Sequence, residues 1–430
     1  MKNTILLLLV WLGATAFAGK GDLDKAFNNY WKQDRAKGRL KAAKTILATG
    51  ADFETLWTRL EAGRPYRPDV ETGKFIRTHA SKDGKRHHYS AMVPSSYDPN
   101  RKYPLHVFLH GGVGRPQWKR DGKWWRHYDS MNTPDRISLF PASWAGAMWW
   151  ERTQFHNING ILNQIKTTYN IDENKILLIG LSDGGTGAYF QAIRNTTPWA
   201  AIMPYIGHIM VLNNRKMRMD GDIHVINLAN KPLFVVNTEH DHLYPAKAVE
   251  PFISLYRHVG ADVTFVAKQG YRHGMGWFPE EAERIRAYMN AAVRQPLPDR
   301  LVWETENTKV YNRAHWLLID QLGKVEGESR LDSFNESNGN LIFKRSGPWG
   351  RVALKREGNT LSVVTMGVRK FTLLMSPKQF NFNQTIKVNI NEKPAFEGQL
   401  TPDPKVLMKW AAEDNDRTML FGAELSLEVK

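Results

Sequence analysis

Short apolar runs alternate with helical stretches between residues 103 and 292, and this alternation limits the fold more than any other feature of the sequence. A helix after each strand carries the chain back to its starting edge, so successive strands can pair in parallel. The sequence therefore predicts an α/β fold, a doubly wound, mostly parallel sheet with helices on both faces. The predicted strands are residues 105–109, 176–180, 201–205, 233–237 and 263–266, and the predicted helices are residues 158–169, 186–194, 246–258 and 280–292.

The residues before this region predict a helical arm and a hairpin. Apolar residues recur at helical spacing between residues 21 and 62, which predicts a short N-terminal helical arm, residues 19–70, that packs on the next domain. Two alternating runs then flank Lys82-Asp83-Gly84-Lys85, and an Asp-Gly pair between such runs is a strong hairpin signal. We expect the α/β domain to span residues 71–294.

The C-terminal third has a different pattern. Residues 295–299 contain two prolines, which end the preceding helix and predict a linker. Short apolar runs separated by Gly, Asn and Pro follow, with one predicted helix at residues 405–412, and they predict an all-β sandwich-like domain over residues 300–430. We expect this domain to be structural or to assist partner binding, without a catalytic group. Its predicted strands are residues 301–303, 341–343, 352–354, 361–364, 371–374, 386–390 and 425–427.

The N-terminus has the composition of a secretory signal peptide. Lys2 gives a positive start, residues 5–12 are apolar, and small residues precede Gly19. We expect cleavage near Ala18, which removes residues 1–18 and exports the protein to the periplasm or beyond the cell. The chain turns polar too early for a transmembrane segment. It contains no cysteine, which excludes disulfides, thiolate metal sites and a cysteine nucleophile.

A Gly-x-Ser-x-Gly sequence, residues 180–184, lies between a predicted strand and a predicted helix. The residues two before and two after such a serine must be nearly free of side chain so that strand and helix can pass. The serine hydroxyl then lies at the carboxyl edge of the sheet, beside a helix N-terminus that favours negative charge. A structural glycine turn is the alternative, and the flanking strand and helix favour Ser182 as a nucleophile.

The sequence His110-Gly111-Gly112 ends the first parallel strand. Its glycines let backbone N–H groups turn toward an oxyanion, and the N–H of Asp183 would supply a second donor. We therefore predict an oxyanion hole at Gly111, Gly112 and Asp183, with a flexible loop as the alternative. His110 is predicted to shape this loop at the substrate site and not to act as the base.

The acid and base are expected to follow the serine in the order Asp, His. Asp241 and His273 each follow a predicted strand, so we predict His273 as the general base and Asp241 as the residue that orients it. Glu239 is the alternative acid. A metal cluster over residues 239–242 is a further alternative, but the spacing matches no standard zinc pattern and a third ligand is not evident. The sequence predicts neither a metal nor a cofactor.

These segments resemble the α/β-hydrolase superfamily, and within it the secreted polyhydroxybutyrate depolymerase and feruloyl or acetylxylan esterase types, over about residues 85–293. The resemblance implies a Ser182–Asp241–His273 triad and ester hydrolysis through an acyl-enzyme. Prolyl-oligopeptidase-like peptidases share the same core, so a peptide substrate stays open. The chain departs from the depolymerases in having Asp183 after the nucleophile and no cysteines.

Six tryptophans lie between the oxyanion loop and the serine, and four cations lie among them. In such sheets the substrate lies outside the carboxyl ends of the strands, so Trp149 and Trp150 are predicted, with His110, to contact it. Packing of a long loop on the core is the alternative. The net charge of +16 favours an acidic polymer or a solvated basic face. The tryptophans are Trp118, Trp124, Trp125, Trp144, Trp149 and Trp150, and the cations are Lys119, Arg120, Lys123 and Arg126.

Together these features predict an exported serine hydrolase that cleaves a carboxylic ester, polymeric or carbohydrate-linked. A serine peptidase and a non-catalytic polymer- or surface-binding protein are the alternatives. We expect no nucleic-acid partner, and the sequence indicates no oligomeric state.

Overall fold

The computed structural model describes residues 20–126, 135–325, 343 and 345–429. An eight-stranded sheet forms its centre. The predicted signal peptide lies outside the described residues. The strands of the sheet are β1 (Gly73–Ala80), β2 (Arg86–Val93), β3 (Tyr103–Leu109), β4 (Ile137–Pro141), β5 (Ile171–Leu181), β6 (Ala201–Tyr205), β7 (Leu233–Thr238) and β8 (Val263–Lys268).

The strands are arranged in the order β1-β2-β4-β3-β5-β6-β7-β8. The β1–β2 and β2–β4 pairs are antiparallel, and all later pairs are parallel, which confirms the predicted hairpin and the mostly parallel α/β sheet. Across the described ranges, the structure contains no helix that is both long and apolar enough to cross a membrane. The helices are α1 (Lys20–Trp31), α2 (Ala36–Leu47), α3 (Phe53–Ala62), α4 (Arg152–Thr168), α5 (Asp183–Arg194), α6 (Met210–Asn213), α7 (Ala246–His258), α8 (Phe278–Ala291) and α9 (Pro404–Asp414).

The central strands are mostly apolar because helices cover both faces of the sheet. Every residue of β4, β6 and β7 is buried, and separate apolar cores lie on the two faces. The bounds of β6 and α7 are those predicted. β4 is a strand that the sequence pattern does not predict, and β5 begins five residues before its predicted start, because Asp172 to Asn174 are polar.

The C-terminal region contains two sheets that enclose one apolar core, which confirms the predicted separate β-rich region. The sheet orders are β10-β11-β14-β17 and β16-β15-β13-β12-β9. Trp303 and Trp316 are fully buried in this core. Of the predicted strand at 341–343, only Phe343 is described, and it lies in a turn. The strands are β9 (Arg300–Thr305), β10 (Arg313–Ala314), β11 (Leu317–Leu322), β12 (Gly350–Glu357), β13 (Thr360–Met366), β14 (Val368–Met375), β15 (Ile386–Ile390), β16 (Lys393–Gly398) and β17 (Ala423–Glu428).

The N-terminal arm contacts the domain that follows it through hydrogen bonds, but its apolar face packs on the C-terminal region. Helices α1 to α3 share an apolar core with α9, in the C-terminal region, rather than with the domain that follows them. The buried Arg39 joins the two parts, since it donates to the carbonyl oxygen of Ala412 at 2.8 Å and to Asn163 Oδ1 of α4 at 3.0 Å. The arm therefore bridges the C-terminal helix and the α/β region.

Buried ion pairs join the α/β region to the β-sandwich. Arg294 Nη2 lies 2.8 Å from Asp416 Oδ2, and Arg417 Nε lies 2.7 Å from Glu173 Oε1. Burial raises the pKa of Asp416, but the positive charges of Arg294 and Lys166 outweigh it and hold that pKa below its usual range. A buried ion pair specifies a contact strongly, because loss of one partner leaves the other charge buried without compensation.

A second buried cluster lies on the same interface. His224 Nδ1 lies 2.6 Å from Glu304 Oε1, and Arg194 Nη1, at the end of α5, lies 2.8 Å from Glu306 Oε2. Arg351 also contacts Glu304, at 2.5 Å. A chain that stopped before β9 would remove both glutamates. The α/β region is thus built to fold against the sandwich.

We predict that Asp416→Asn lowers the free energy of unfolding by about 3–5 kcal/mol, because it leaves Arg294 and Lys166 buried without their carboxylate. Urea unfolding followed by tryptophan fluorescence measures the change. A carboxyl group with a lowered pKa in the folded state stabilises the fold above its unfolded-state pKa of about 4, and this contribution is lost as the pH falls through the folded-state value. The variant should therefore lose less stability than the wild type on acidification.

Glu357→Gln is the matched control for this experiment. It also removes one carboxylate from an ion pair, here with Lys355, but both side chains are largely exposed to solvent. Exposed pairs contribute little to stability, so the unfolding midpoint should not move. Equal losses in the two variants would contradict a special role for the buried pair.

Candidate active site

Ser182 lies in a strained turn between the end of β5 and the start of α5. Its φ is +56°, a left-handed value that a residue with a side chain adopts rarely. The flanking glycines explain the turn, since a Cβ on Gly180 would lie 2.0 Å from the carbonyl oxygen of Gly184. A Cβ on Gly184 would lie 1.9 Å from the carbonyl oxygen of Leu109, in β3. The Gly-x-Ser-x-Gly spacing is therefore a packing requirement of this turn.

A continuous hydrogen-bonded chain connects Ser182 with two residues from other loops. His273, after β8, lies with Nε2 2.9 Å from Ser182 Oγ and with Nδ1 2.8 Å from Asp241 Oδ2. The other Asp241 oxygen accepts the backbone N–H groups of Leu243 at 2.8 Å and Tyr244 at 3.0 Å. The carboxylate holds the proton on Nδ1, which leaves Nε2 able to accept the serine proton.

Glu239, the alternative acid, lies apart from this chain. Its Oε2 accepts the backbone N–H of Gly270 at 2.8 Å and lies 3.6 Å from His240 Nε2. It therefore joins the loops after β7 and β8 and does not contact His273. Within the described ranges, no group of three or more His, Asp or Glu side chains is arranged to hold a metal ion.

The predicted oxyanion loop lies directly beside Ser182. A Cβ on Gly111 would lie 2.9 Å from the Ser182 Cβ, so only a glycine fits there. Gly112 has a φ of +66°, which glycine adopts at no steric cost. The next residue, Val113, donates its backbone N–H to Asp183 Oδ2 at 2.9 Å. Asp183 begins α5, so its own N–H is among the first-turn donors that have no partner within the helix.

His110 is buried, and its ring fixes the loop. Nε2 accepts the backbone N–H of Ser143 at 3.0 Å, so Nδ1 carries the proton and donates it to the carbonyl oxygen of Gly111 at 2.8 Å. Trp149 Nε1 donates to the carbonyl oxygen of His110 at 2.8 Å. These contacts agree with a loop-shaping role for His110 and leave neither ring nitrogen for a base.

The predicted substrate contacts of Trp149 and Trp150 are not supported. Their side chains are 0% and 1% exposed, and the Trp150 indole donates to the carbonyl oxygen of Met217 at 2.8 Å. Trp124 and Trp125 are also buried, and of the cluster only Trp118 is partly exposed. The aromatic cluster therefore packs the loops onto the sheet, because buried indoles find backbone acceptors there.

Two residues near His273, Leu243 and Tyr244, were not singled out from the sequence. Leu243 is 51% exposed, which is unusual for a leucine beside a buried carboxylate. Burial and the nearby charges of Asp183 and Asp241 raise the pKa of Tyr244 to about 12, and its ring centroid lies 6.0 Å from that of His273. Their position two and three residues after Asp241 is the sequence feature that could have placed them near His273.

The strand order, the helices on both faces and the serine turn after β5 together define an α/β-hydrolase fold. The chain resembles the serine esterases of this superfamily. No protein-family model matches it. A curated relative, the bifunctional acetylxylan esterase/xylanase XynS20E of Neocallimastix patriciarum, is 25% identical over 189 residues, or 43% of this chain. The chain spans 26% of the length of that relative.

Solved structures with similarity to this chain include esterases and a peptidase. A thermostable esterase gives a TM-score of 0.42 and 22% identity over 51% of this chain and 63% of its own. A ferulic acid esterase gives a TM-score of 0.38 and 18% identity, and the match covers 51% of this chain and 98% of the esterase. The acylaminoacyl peptidase of Pyrococcus horikoshii gives a TM-score of 0.40 and 17% identity, and the match covers 51% of this chain and 41% of the peptidase.

We predict that Asp183 holds the oxyanion loop through the Val113 N–H. Asp183→Ala removes this acceptor and should lower kcat about tenfold to a hundredfold with little change in KM, because a misplaced oxyanion donor acts on the transition state. Asp183→Asn keeps an accepting oxygen and should retain activity within about threefold of wild type. Steady-state kinetics on one aryl ester measure both. Equal losses of kcat in the two variants would show that the negative charge of Asp183 supports catalysis and that its hydrogen bond from Val113 does not.

Proposed function

We propose that this protein is an exported serine hydrolase of carboxylic esters that uses Ser182 as nucleophile, His273 as general base and Asp241 as the residue that orients the imidazole. The observation that carries the proposal is the chain of 2.8 and 2.9 Å contacts from Asp241 through His273 to Ser182. Nucleophile, base and orienting group within hydrogen-bond reach are the arrangement that acyl transfer requires.

Each step of ester hydrolysis has a group in position. His273 Nε2 takes the Ser182 proton as Oγ attacks the carbonyl carbon, and Asp241 stabilises the imidazolium. The carbonyl oxygen becomes negative and accepts backbone N–H groups of the Gly111–Gly112 segment and of Asp183. His273 then protonates the leaving alcohol, which departs and leaves an acyl-serine. Water, deprotonated by His273, attacks this ester and releases the carboxylic acid and the free serine.

An ester is favoured over a peptide by the named activity of the curated relative, which includes acetylxylan esterase. By the same similarity, we propose a carbohydrate-linked or polymeric ester as the substrate. The reading as a binding protein without catalysis is disfavoured, because a purely structural turn has no need of a histidine and a buried carboxylate aligned on one serine. Export rests on the sequence of residues 1–18, and N-terminal sequencing of the secreted protein should find Gly19 first.

We predict that Ser182→Ala abolishes labelling by a fluorophosphonate probe and lowers ester hydrolysis by about 10⁴-fold or more, because the acyl-enzyme route is lost. His273→Ala should cause a comparable loss. The double variant should be no slower than either single variant, because members of such a unit do not contribute additively. A panel of aryl esters and peptide amides, assayed with the wild type, decides the substrate class.

Circular dichroism of the variants is the control for folding. Undiminished turnover in Ser182→Ala would disprove the nucleophile assignment. Faster hydrolysis of the amides than of the esters would replace the esterase proposal by the peptidase alternative.

We predict that Asp241→Asn lowers kcat by about 10³- to 10⁴-fold with little effect on KM. The amide donates to His273 Nδ1 and favours the tautomer in which Nε2 cannot accept the serine proton. Glu239→Gln is the matched control, two residues away in the same loop, and its amide oxygen can still accept the N–H of Gly270. It should change kcat by about twofold at most. A larger loss in Glu239→Gln than in Asp241→Asn would make Glu239 the acid.

A further inference from the structure

Exposed cations are concentrated in the segment that leaves the oxyanion loop. Residues 112–126, all of which the structure describes, contain five exposed cations and a single acidic residue, Asp121. Hydrogen bonds to other elements fix the segment. Besides the Val113 N–H bond to Asp183, Gln117 donates to the carbonyl oxygen of Arg86, Trp124 donates to that of Phe140, and the Ala145 N–H donates to that of Arg115. The cations are Arg115, Lys119, Arg120, Lys123 and Arg126.

This segment borders the nucleophile. It directly follows Gly111, whose backbone lies against Ser182. Trp118 then packs edge-on against the ring of His110, with centroids 5.7 Å apart, and the guanidinium of Arg115 lies 3.4 Å from the centroid of Trp118. Arg115 is therefore held beside the oxyanion loop, and the other four cations continue along the same segment, which is tied to β2 and β4.

Two further loops add positive charge at the same carboxyl edge of the sheet. Arg215, Lys216 and Arg218 follow β6 and are exposed, and Arg272 is exposed directly before His273. The loop after β6 is fixed to the segment before α4, because the carbonyl oxygen of Met217 accepts the Trp150 indole and the Asp220 N–H donates to the carbonyl oxygen of Trp150. Asp183, Asp241 and Glu239 accept hydrogen bonds within the protein, and Asp121 is the exposed carboxylate of residues 112–126. We refer to these nine exposed cations, those of residues 112–126 together with Arg215, Lys216, Arg218 and Arg272, as the cationic rim.

We propose that the ester substrate carries a carboxylate close to the scissile ester, and that the cationic rim attracts and orients it. This inference rests on the proposed function and specifies its substrate class. Each exposed ion pair contributes little alone, but a cleft bordered by one sign of charge raises the local concentration of an oppositely charged substrate. The carboxylate belongs either to the acyl group, as in the monoester of a diacid, or to the alcohol, as in an ester on an acidic saccharide or aromatic acid.

Two pairs of substrates test the proposal and separate these sources. Mono-4-nitrophenyl glutarate against 4-nitrophenyl valerate places the charge on the acyl side, and 4-acetoxybenzoate against 4-acetoxybenzamide places it on the alcohol side. In the pair whose charge lies on the correct side of the ester, the wild-type kcat/KM for the anionic ester should exceed that for the neutral ester about tenfold at low salt. This ratio should fall towards one in about 0.5 M salt, because exposed charges are screened.

The double variant Lys119→Glu/Lys123→Glu should lower the anionic-to-neutral ratio about tenfold. Lys41→Glu/Lys44→Glu is the matched control, with the same change of charge at exposed positions of α2, which packs on α9. The control should keep the wild-type ratio within about twofold, which distinguishes the rim from the general excess of positive charge. Labelling of Ser182 by the fluorophosphonate probe counts intact sites in every preparation.

A wild-type ratio of one or less in both pairs, or equal ratios in the two double variants, would overturn the inference. Binding to vesicles of anionic phosphatidylglycerol that is lost only in Lys119→Glu/Lys123→Glu, with the ester ratio unchanged, would also overturn it and make the rim a membrane contact. The proposed function fails separately, when no ester of either pair is hydrolysed and the probe does not label Ser182.

Discussion

The backbone at Ser182 is the constraint on which the rest of the site depends. A positive φ at a residue with a side chain costs about 1–3 kcal/mol, so the neighbouring structure must enforce it. Ser182 is held by its own N–H, which donates to the carbonyl oxygen of Tyr205 in β6 at 2.9 Å. Gly180 and Gly184 allow β5, α5 and β3 to approach within backbone contact. The buried parallel strands thus hold the turn that presents the hydroxyl at the sheet edge.

Trp149 packs directly against this turn and the helix that follows it. A Cβ on Gly187 would lie 2.5 Å from the Trp149 Cβ, so α5 and Trp149 are packed as closely as a glycine permits. The Trp149 indole donates to the carbonyl oxygen of His110, and the His110 ring donates to the carbonyl oxygen of Gly111. With the contact from Val113 to Asp183, the oxyanion loop is fixed to α5 at two points. These contacts hold Ser182 and the predicted oxyanion loop in a fixed relation, which is what preorganised stabilisation of a transition state requires.

The sequence was most informative where local pattern alone decides the outcome. A continuous apolar run located β6, and a helical pattern of apolar residues located α7. The order of chemical groups along the chain led to the three residues that the structure brings together. Hydrogen bonds between distant residues had no such signal, as with Ser143 to His110 and Val113 to Asp183. The packing of the arm on α9 was missed for the same reason, because an amphipathic helix shows that it has an apolar partner but not which one.

The β-sandwich is fastened to the α/β region mainly at a distance from the nucleophile. Glu173 lies near the start of β5 and Arg194 at the end of α5, whereas Ser182 lies at the opposite ends of both elements. The buried charges that specify docking therefore add no charge beside the reacting ester. Tyr311 of the sandwich makes a different contact, because its hydroxyl donates to Asp220 in the loop after β6. Asp220 also forms an ion pair with Arg152 at the start of α4. Through this contact the sandwich helps to position a loop that carries part of the cationic rim, although its own residues lie outside the hydrogen-bonded chain at Ser182.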